Sequence, residues 1–309
     1  LASFGIGNAV QVGNITSSIN NAIQQFAPAA AEHEMVINIV LAVILMAIIG
    51  VVLVGGIKRI GEVTEFMVPV MSVIYIAACL AVIVVNITRV PAVFGMIFQG
   101  AFSPAAVTGG AAGVGVKMCI TWGVKRGVFS NEAGLGSAPI AHAATSETNP
   151  VKQGLYGIFE VFMDTIVICT LSGLTLLLAL DGSTLNYGVE GTTSLNALAL
   201  GTVFGNKAGA LIIAIGLSLF ALSTVLSWGL YGTRCWEYLL GEKAVKPYQI
   251  IFTLVVIISA TMDLSLAWAI ADTLNGLMAI PNLIGLLLLC PVVFKMTREY
   301  FDSERRLRK

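Results

Sequence analysis

Charged and helix-breaking residues lie close together at positions 121–145, inside an otherwise apolar chain. The charged members, Lys125, Arg126 and Glu132, are costly in hydrocarbon unless they face protein or a water-filled cavity. A continuous helix is disfavoured in the same stretch by four residues, Gly127, Gly134, Gly136 and Pro139. The combination predicts a discontinuous transmembrane helix over 112–145 that forms a binding site for a small polar molecule.

The unwound part of this helix is predicted to run over 129–136. Backbone groups exposed by an interruption are costly in lipid, so it persists only where other groups or a ligand satisfy them. Carbonyl groups near Val128 would suit an ammonium group or a sodium ion, because they end the first half-helix. Amide groups of the second half-helix, which Ser137 can cap, favour negative charge. The break therefore suits a zwitterion; the alternative is an ordinary loop outside the bilayer, where the charged residues would also be comfortable.

The composition of the 309-residue chain indicates an integral membrane protein. It is 57% hydrophobic and 11% charged, against about 25% charged residues in soluble domains, and its mean hydropathy is +0.90. The formal net charge of zero gives no indication of a nucleic-acid partner. The five cysteines are scattered singly, so we expect no metal site and no cofactor.

The residue types of the chain also disfavour an enzymatic function. An intramembrane hydrolase would need a nucleophile, a base and an orienting group, and His142, Glu132 and Asp164 do not form such a set. The protein is therefore predicted not to be an enzyme.

Runs of about 20 largely uncharged residues, the length needed to cross a bilayer as a helix, predict eight crossings. They are 1–25, 35–54, 66–88, 112–145, 155–180, 208–233, 248–270 and 273–294. Residues 92–111 are weaker and resemble a re-entrant or interfacial hairpin. Residues 181–206 are predicted to form the longest polar loop.

Basic residues predict the orientation in the plasma (inner) membrane, because they are retained on the cytoplasmic side. The end of the chain, 295–309, is rich in lysine and arginine and is predicted to be a cytoplasmic tail. Counting back through eight crossings places the start of the chain on the same side. Because the chain begins with Leu1 and shows no signal peptide, we expect it to begin within a longer protein.

The longest distinctive segment is Gly-Val-Phe-Ser-Asn-Glu-Ala-Gly-Leu-Gly-Ser-Ala-Pro-Ile-Ala-His, at 127–142. It resembles the signature of the alanine or glycine:cation symporter family, the sodium:alanine symporters. Further segments agree, at 4–11, 55–60, 161–165 and 275–282. The resemblance covers essentially the whole chain.

The resemblance implies an all-α, leucine-transporter-type fold with two inverted repeats of five helices. The family's first core helix carries a Gly-Thr-Gly-Asn break, and no such segment occurs in this chain. We therefore expect core helices three to ten, with 112–145 as the sixth, and the first two missing. Within one transport domain, 1–111 would be the rest of the first repeat and a connecting segment, and 112–294 the second repeat.

Site residues follow from the same resemblance. Ser223 and Thr224 correspond to the pair that ligates sodium in this fold; alternatively, their hydroxyls bond the carbonyl four residues back. The substrate-binding residues would be Gln11, Phe129, Ser130, Asn131, Gly134 and Trp228. For Gln11 a polar contact between helices is an equal alternative, and for Trp228 and Phe129 ordinary packing is the alternative.

Carboxylates near the membrane are expected to support the break. Glu160 and Asp164 lie four residues apart on one helical face, and their natural partners are Lys125 and Arg126. Together with Glu132, these residues are predicted to form a structural ion-pair network.

The predicted function is secondary transport of a small neutral amino acid, alanine or glycine, coupled to sodium by alternating access. One alternative is proton-coupled transport. Another is that these 309 residues are an incomplete membrane fragment without independent transport activity.

Overall fold

The computed structural model describes residues 1–102, 111–180 and 192–307, and this part of the chain is all-helical. Helix α1 joins a π-helical turn, Ser3–Ala9, to Val10–Phe26, and α7 joins Pro150–Val161, π-helical Phe162–Ile168 and Cys169–Ala179. The other helices are α2 (Glu34–Val54), α3 (Gly56–Val85), α4 (Val90–Phe102), α5 (Ala111–Asn131), α6 (Ala138–His142), α8 (Thr192–Phe204), α9 (Asn206–Leu240), α10 (Val245–Thr261) and α11 (Leu264–Leu307).

Six of the eight predicted crossings are helices that are long and apolar enough to cross a membrane, among the residues described. They contain α2, α3, α7, α9, α10 and α11. The remaining two predicted crossings, α1 and the interrupted pair α5 and α6, are helical but carry many polar residues. The structure thus supports a multi-pass membrane protein, and the count of eight stays a prediction.

Three predicted boundaries are wrong. Part of the predicted polar loop, Thr192–Phe204, is helix α8; residues 181–191 lie outside the described part. The predicted crossing at 248–270 ends instead at Thr261. There Asp263 accepts hydrogen bonds from the Ser265 hydroxyl and, at 3.0 Å, from the Leu266 amide, so that a new helix begins at Leu264 instead of 273. These bonds lower the pKa of Asp263.

The predicted hairpin and the predicted tail are both partly helical. The apolar part of the predicted hairpin at 92–111 lies in α4, and its residues 103–110 lie outside the described part. The predicted tail at 295–309 continues α11 as helix to Leu307.

Helix α1 lies at the centre of the bundle and is buried along most of its length. Val12 and Ile15 pack with side chains of α2, α9 and α10 in the largest apolar cluster. Ile6 and Val10 pack against α9 and α11 at Trp228 and Ala267. The buried α1 therefore positions α9 and α11, two of the helices that contact the interrupted helix.

Candidate functional site

The interrupted helix contains a short turn between α5 and α6. Glu132, Gly134 and Gly136 have φ angles of 50°, 75° and 79°, in the left-handed region that stops a right-handed helix. The helix is interrupted where the sequence predicted, over a shorter stretch than predicted; that the interruption lies within the membrane stays a prediction. Phe129 to Asn131 remain helical, and the unwound part is 132–137.

Two hydrogen bonds between backbone groups stabilise the turn. The Val128 carbonyl accepts from the Ala133 amide at 3.2 Å, and the Glu132 carbonyl from the Leu135 amide at 3.1 Å. These bonds close the turn locally. The Val128 carbonyl, which was expected to suit a cation, thus already accepts one hydrogen bond and keeps one lone pair.

Asn282 of α11 holds the turn through a side-chain hydrogen bond, a contact that we call the clamp. Its Nδ2 donates to the Gly134 carbonyl at 2.9 Å. A Cβ placed on Gly136 would lie 2.7 Å from Asn282 Oδ1, so only glycine allows this approach. Sequence reasoning missed Asn282 as a site residue; an asparagine next to Pro281 within a long apolar helix was the available signal.

Glu132 accepts hydrogen bonds from the turn and from α9 instead of forming an ion pair. The Ser137 hydroxyl donates to Glu132 Oε2 at 2.6 Å, and the Trp228 indole also interacts with this carboxylate. Two predictions are therefore wrong: Glu132 has no ion pair among the described residues, and the Ser137 side chain does not cap α6. The reason is proximity, because the hydroxyl reaches the carboxylate five residues back.

Lys125 and Arg126 pair with Asp272 of α11. The distances to Asp272 Oδ2 are 3.2 Å from Lys125 Nζ and 3.7 Å from Arg126 Nη2. The Arg126 guanidinium also lies 4.0 Å from the ring centre of Trp268, a cation–π contact. The predicted pairing of the two cations with Glu160 and Asp164 is wrong, because this face of α5 packs on α11.

The carboxylates of α7 have other partners. The Ser130 hydroxyl donates to Asp164 Oδ2 at 2.6 Å. His142 Nε2 lies 3.3 Å from Glu160 Oε2. Asn131 Nδ2 donates to the Thr165 hydroxyl at 2.8 Å, which adds a second bond between α5 and α7. Helix α7 thus holds both halves of the interrupted helix.

Loss of the shared carboxylate should loosen α5. We expect Asp272→Asn to weaken the contact between α5 and α11 by about 1 kcal/mol, because Lys125 and Arg126, which are partly exposed, both lose their ionic partner. Protection of α5 amides in hydrogen exchange should fall. Glu299→Gln, which removes the exposed partner of Lys295 farther along α11, should leave it unchanged; equal effects of the two variants would contradict the prediction.

The predicted substrate-binding residues fall into two groups. Ser130 and Asn131 line a cavity of about 420 Å³ together with Glu132, Asp164 and Tyr231, which we call the break cavity. Phe129 and Trp228 instead belong to one apolar cluster with α1. In that cluster the Phe129 ring lies 4.8 Å from the ring of Trp268, so it has an aromatic neighbour.

The other two predicted substrate residues, Gln11 and Gly134, belong to neither group. Gln11 is buried in α1, one turn beyond Gly7, which contacts Trp228. Gly134 lies in the turn and is held by Asn282. A direct contact of either residue with a substrate stays a prediction.

Thr224 makes the alternative hydrogen bond considered from the sequence, to the carbonyl four residues back, and Ser223 makes a similar bond to the carbonyl three residues back. Both hydroxyls donate to the Phe220 carbonyl, at 2.7 Å and 3.1 Å. Donation uses the hydrogen of each hydroxyl and leaves its oxygen lone pairs free to accept. The pair can therefore still offer two oxygen ligands to a hard cation.

These features define a multi-pass helical membrane protein whose interrupted helix lines a polar cavity. The chain belongs to the sodium:alanine symporter family, whose model matches residues 1–309. This confirms the resemblance inferred from the sequence. Symporters are transporters and not enzymes.

Three relatives illustrate the range of the family. The chain is 45% identical to the sodium/alanine symporter AgcS of Methanococcus maripaludis, over 98% of this chain and 63% of that protein. It is 35% identical to the probable sodium/glutamine symporter GlnT of Bacillus subtilis, over 98% and 60%. It is 31% identical to the sodium/proton-dependent alanine carrier protein of Bacillus sp. strain PS3, over 95% and 66%. The chain thus spans about three fifths of the length of such relatives.

Proposed function

We propose that the protein containing this chain carries a small neutral amino acid, alanine or glycine, across the plasma membrane together with sodium. The observation that carries this proposal is the interrupted helix, whose turn at 132–137 lies beside the break cavity and is held by Asn282. Discontinuous helices of this kind bind substrate and coupling ions near the middle of the membrane in secondary transporters. The name of the relative AgcS supports the choice of substrate and ion.

The proposed fold is the leucine-transporter type, with core helices three to ten in this chain and α5 and α6 as the sixth. The buried, polar α1 would be the third and α9 the eighth. Alternating access would move the interrupted helix against this scaffold. The proposed orientation places the C-terminus in the cytoplasm, because basic residues cluster there.

The proposed sodium ligands are Ser223 and Thr224, whose oxygens keep free lone pairs. The proposed substrate residues are Gln11, Phe129, Ser130, Asn131, Gly134 and Trp228. Ser130 and Asn131 would face the polar groups of the amino acid from the break cavity. The apolar cluster of Phe129 and Trp228 would contact its small side chain.

Removing both hydroxyls should weaken sodium dependence. We expect Ser223→Ala with Thr224→Ala to raise the sodium concentration for half-maximal alanine uptake about tenfold or more, since about 1.4 kcal/mol of lost coordination corresponds to a factor of ten. Uptake of labelled alanine at varied sodium measures this.

Thr253→Ala is the matched control, because this hydroxyl of α10 makes the same bond to the carbonyl four residues back, at 2.7 Å. It should leave sodium dependence unchanged. An unchanged sodium dependence in the double variant would refute the ion site.

Proton coupling is the second candidate. Glu132, Glu160 and Asp164 line the break cavity together with His142, so protonatable groups surround the turn. The name of the Bacillus sp. relative mentions both ions. Alanine uptake driven by a pH gradient without sodium would favour this candidate.

A further inference from the structure

Glu132 carries a carboxylate that no cation of the described residues balances. Lys125 and Arg126, the lysine and arginine nearest to it in the sequence, both pair with Asp272. The other ion pairs among the described residues do not include Glu132 either. A charge shielded from water is costly unless it is paired, so the position of Glu132 indicates a partner that the described chain does not supply.

Two buried donors shield the Glu132 carboxylate on one side. The Ser137 hydroxyl donates to its Oε2 at 2.6 Å, and the Trp228 indole also bonds it. Ser137 is 1% exposed and Trp228 is 3% exposed, so water does not reach these donors. Asp164, another carboxylate of the break cavity, is instead bonded by the exposed Ser130, where water can hydrate it. Of these two carboxylates, Glu132 is the one whose charge lacks a balance from water.

The backbone conformation of Glu132 adds a cost to its presence in the turn. Its φ angle is 50°, and no other residue except glycine has a positive φ in the described part of the chain. Glycine adopts this conformation at lower cost and occupies the other positive-φ positions of the turn, 134 and 136. The carboxylate, and not the backbone, therefore accounts for a glutamate at this position.

The polar side chains at the end of α5 are left with acceptors to offer the break cavity. The Ser130 hydroxyl donates its hydrogen to Asp164. Asn131 Nδ2 donates to the Gly127 carbonyl at 3.1 Å and to the Thr165 hydroxyl at 2.8 Å, which uses both amide hydrogens. Because a carbonyl only accepts, the Gly127 bond fixes the orientation of the amide and leaves Oδ1 as its acceptor. An ammonium group, with three donor hydrogens and no acceptor, complements this set.

We propose that the Glu132 carboxylate is the counter-ion for the ammonium group of the transported amino acid. The ammonium group binds in the break cavity, between this carboxylate and the side-chain oxygens of Ser130 and Asn131, which line the same cavity. The C-terminal end of α5 adds the negative end of its helix dipole. This inference rests on the proposed function, because it assigns the residue that binds one end of the proposed substrate.

Thermal unfolding of the whole protein in detergent tests the assignment, because bound alanine raises the midpoint by an amount that gives its dissociation constant. At saturating sodium, we expect Glu132→Gln to raise this constant about tenfold to thirtyfold, since an uncharged acceptor bonds an ammonium group more weakly than a carboxylate does. The midpoint without alanine should stay the same or rise. Glutamine keeps an acceptor oxygen for Ser137 and Trp228 and removes an unbalanced charge.

Glu147→Gln is the matched control. Glu147 is also partly buried, forms no ion pair among the described residues, and accepts a hydrogen bond from the Asn149 amide at 2.9 Å. Because it lies in the loop after α6 and does not line the break cavity, the dissociation constant for alanine should change less than about threefold.

Three results for Glu132→Gln would overturn the inference. The first is an unchanged dissociation constant for alanine. The second is a loss of affinity together with a midpoint several degrees lower without alanine, which indicates a structural role. The third is a weaker affinity for sodium with no change for alanine. A native protein whose midpoint does not respond to alanine would instead refute the proposed function.

Discussion

Replacing Asn282 with leucine is expected to reduce alanine uptake about thirtyfold to a hundredfold. The variant removes the donor to the partly buried Gly134 carbonyl, and leaving a carbonyl unsatisfied costs about 1–3 kcal/mol when it is shielded from water. Leucine also presents branched carbon atoms to Gly136, whose backbone now lies close to the amide of Asn282. The turn would populate other conformations, and the site would be lost even where the helices stay folded. Initial rates of uptake, divided by the amount of protein in the membrane, measure the effect.

Asn86→Leu is the matched control for this prediction. Asn86 Nδ2 donates to the Val82 carbonyl at 2.9 Å, the same type of bond at the same length. It lies at the end of α3, away from the interrupted helix, so uptake per molecule should change less than about threefold. Retention of half the native uptake by Asn282→Leu would show that the clamp is dispensable.

The interrupted helix shows which part of the site the sequence could predict. Glycines, a proline and charges in an apolar run predicted the interruption correctly, because each acts on the backbone locally. Its length was overestimated, since Asn131 Nδ2 bonds the Gly127 carbonyl and keeps the last turn of α5 helical. That bond competes with unwinding, and residue types alone do not reveal it.

Partners across helices were less predictable. Lys125 and Arg126 were assigned to carboxylates about 35 to 40 positions away, whereas Asp272 lies 147 positions from Lys125. Which helix lies beside α5 depends on how all the apolar faces pack, and charge patterns do not specify it. The apolar spans were predicted well, because hydropathy over about 20 residues reflects burial in lipid directly.

Helices α1 and α9 approach each other closely at Gly7 and Trp228. An ideal Cβ on Gly7 would lie 2.0 Å from the Cβ of Trp228, far inside van der Waals contact. Small residues permit such close approach between membrane helices, where packing provides much of the stability. Both atoms lie near rigid backbone, so no rotation of a side chain can relieve the clash.

Gly7→Ala should therefore destabilise the protein strongly, by about 3 kcal/mol or more, because α1 and α9 must move apart and lose contacts along their length. Thermal unfolding in detergent, followed by the loss of monodisperse protein, should shift several degrees downward. Gly61→Ala is the matched control, since a Cβ there meets nothing within 4 Å; it should be neutral or stabilising by about 0.5–1 kcal/mol, as alanine favours helix. Equal midpoints for the two variants would mean that the α1–α9 crossing tolerates a wider separation than this contact implies.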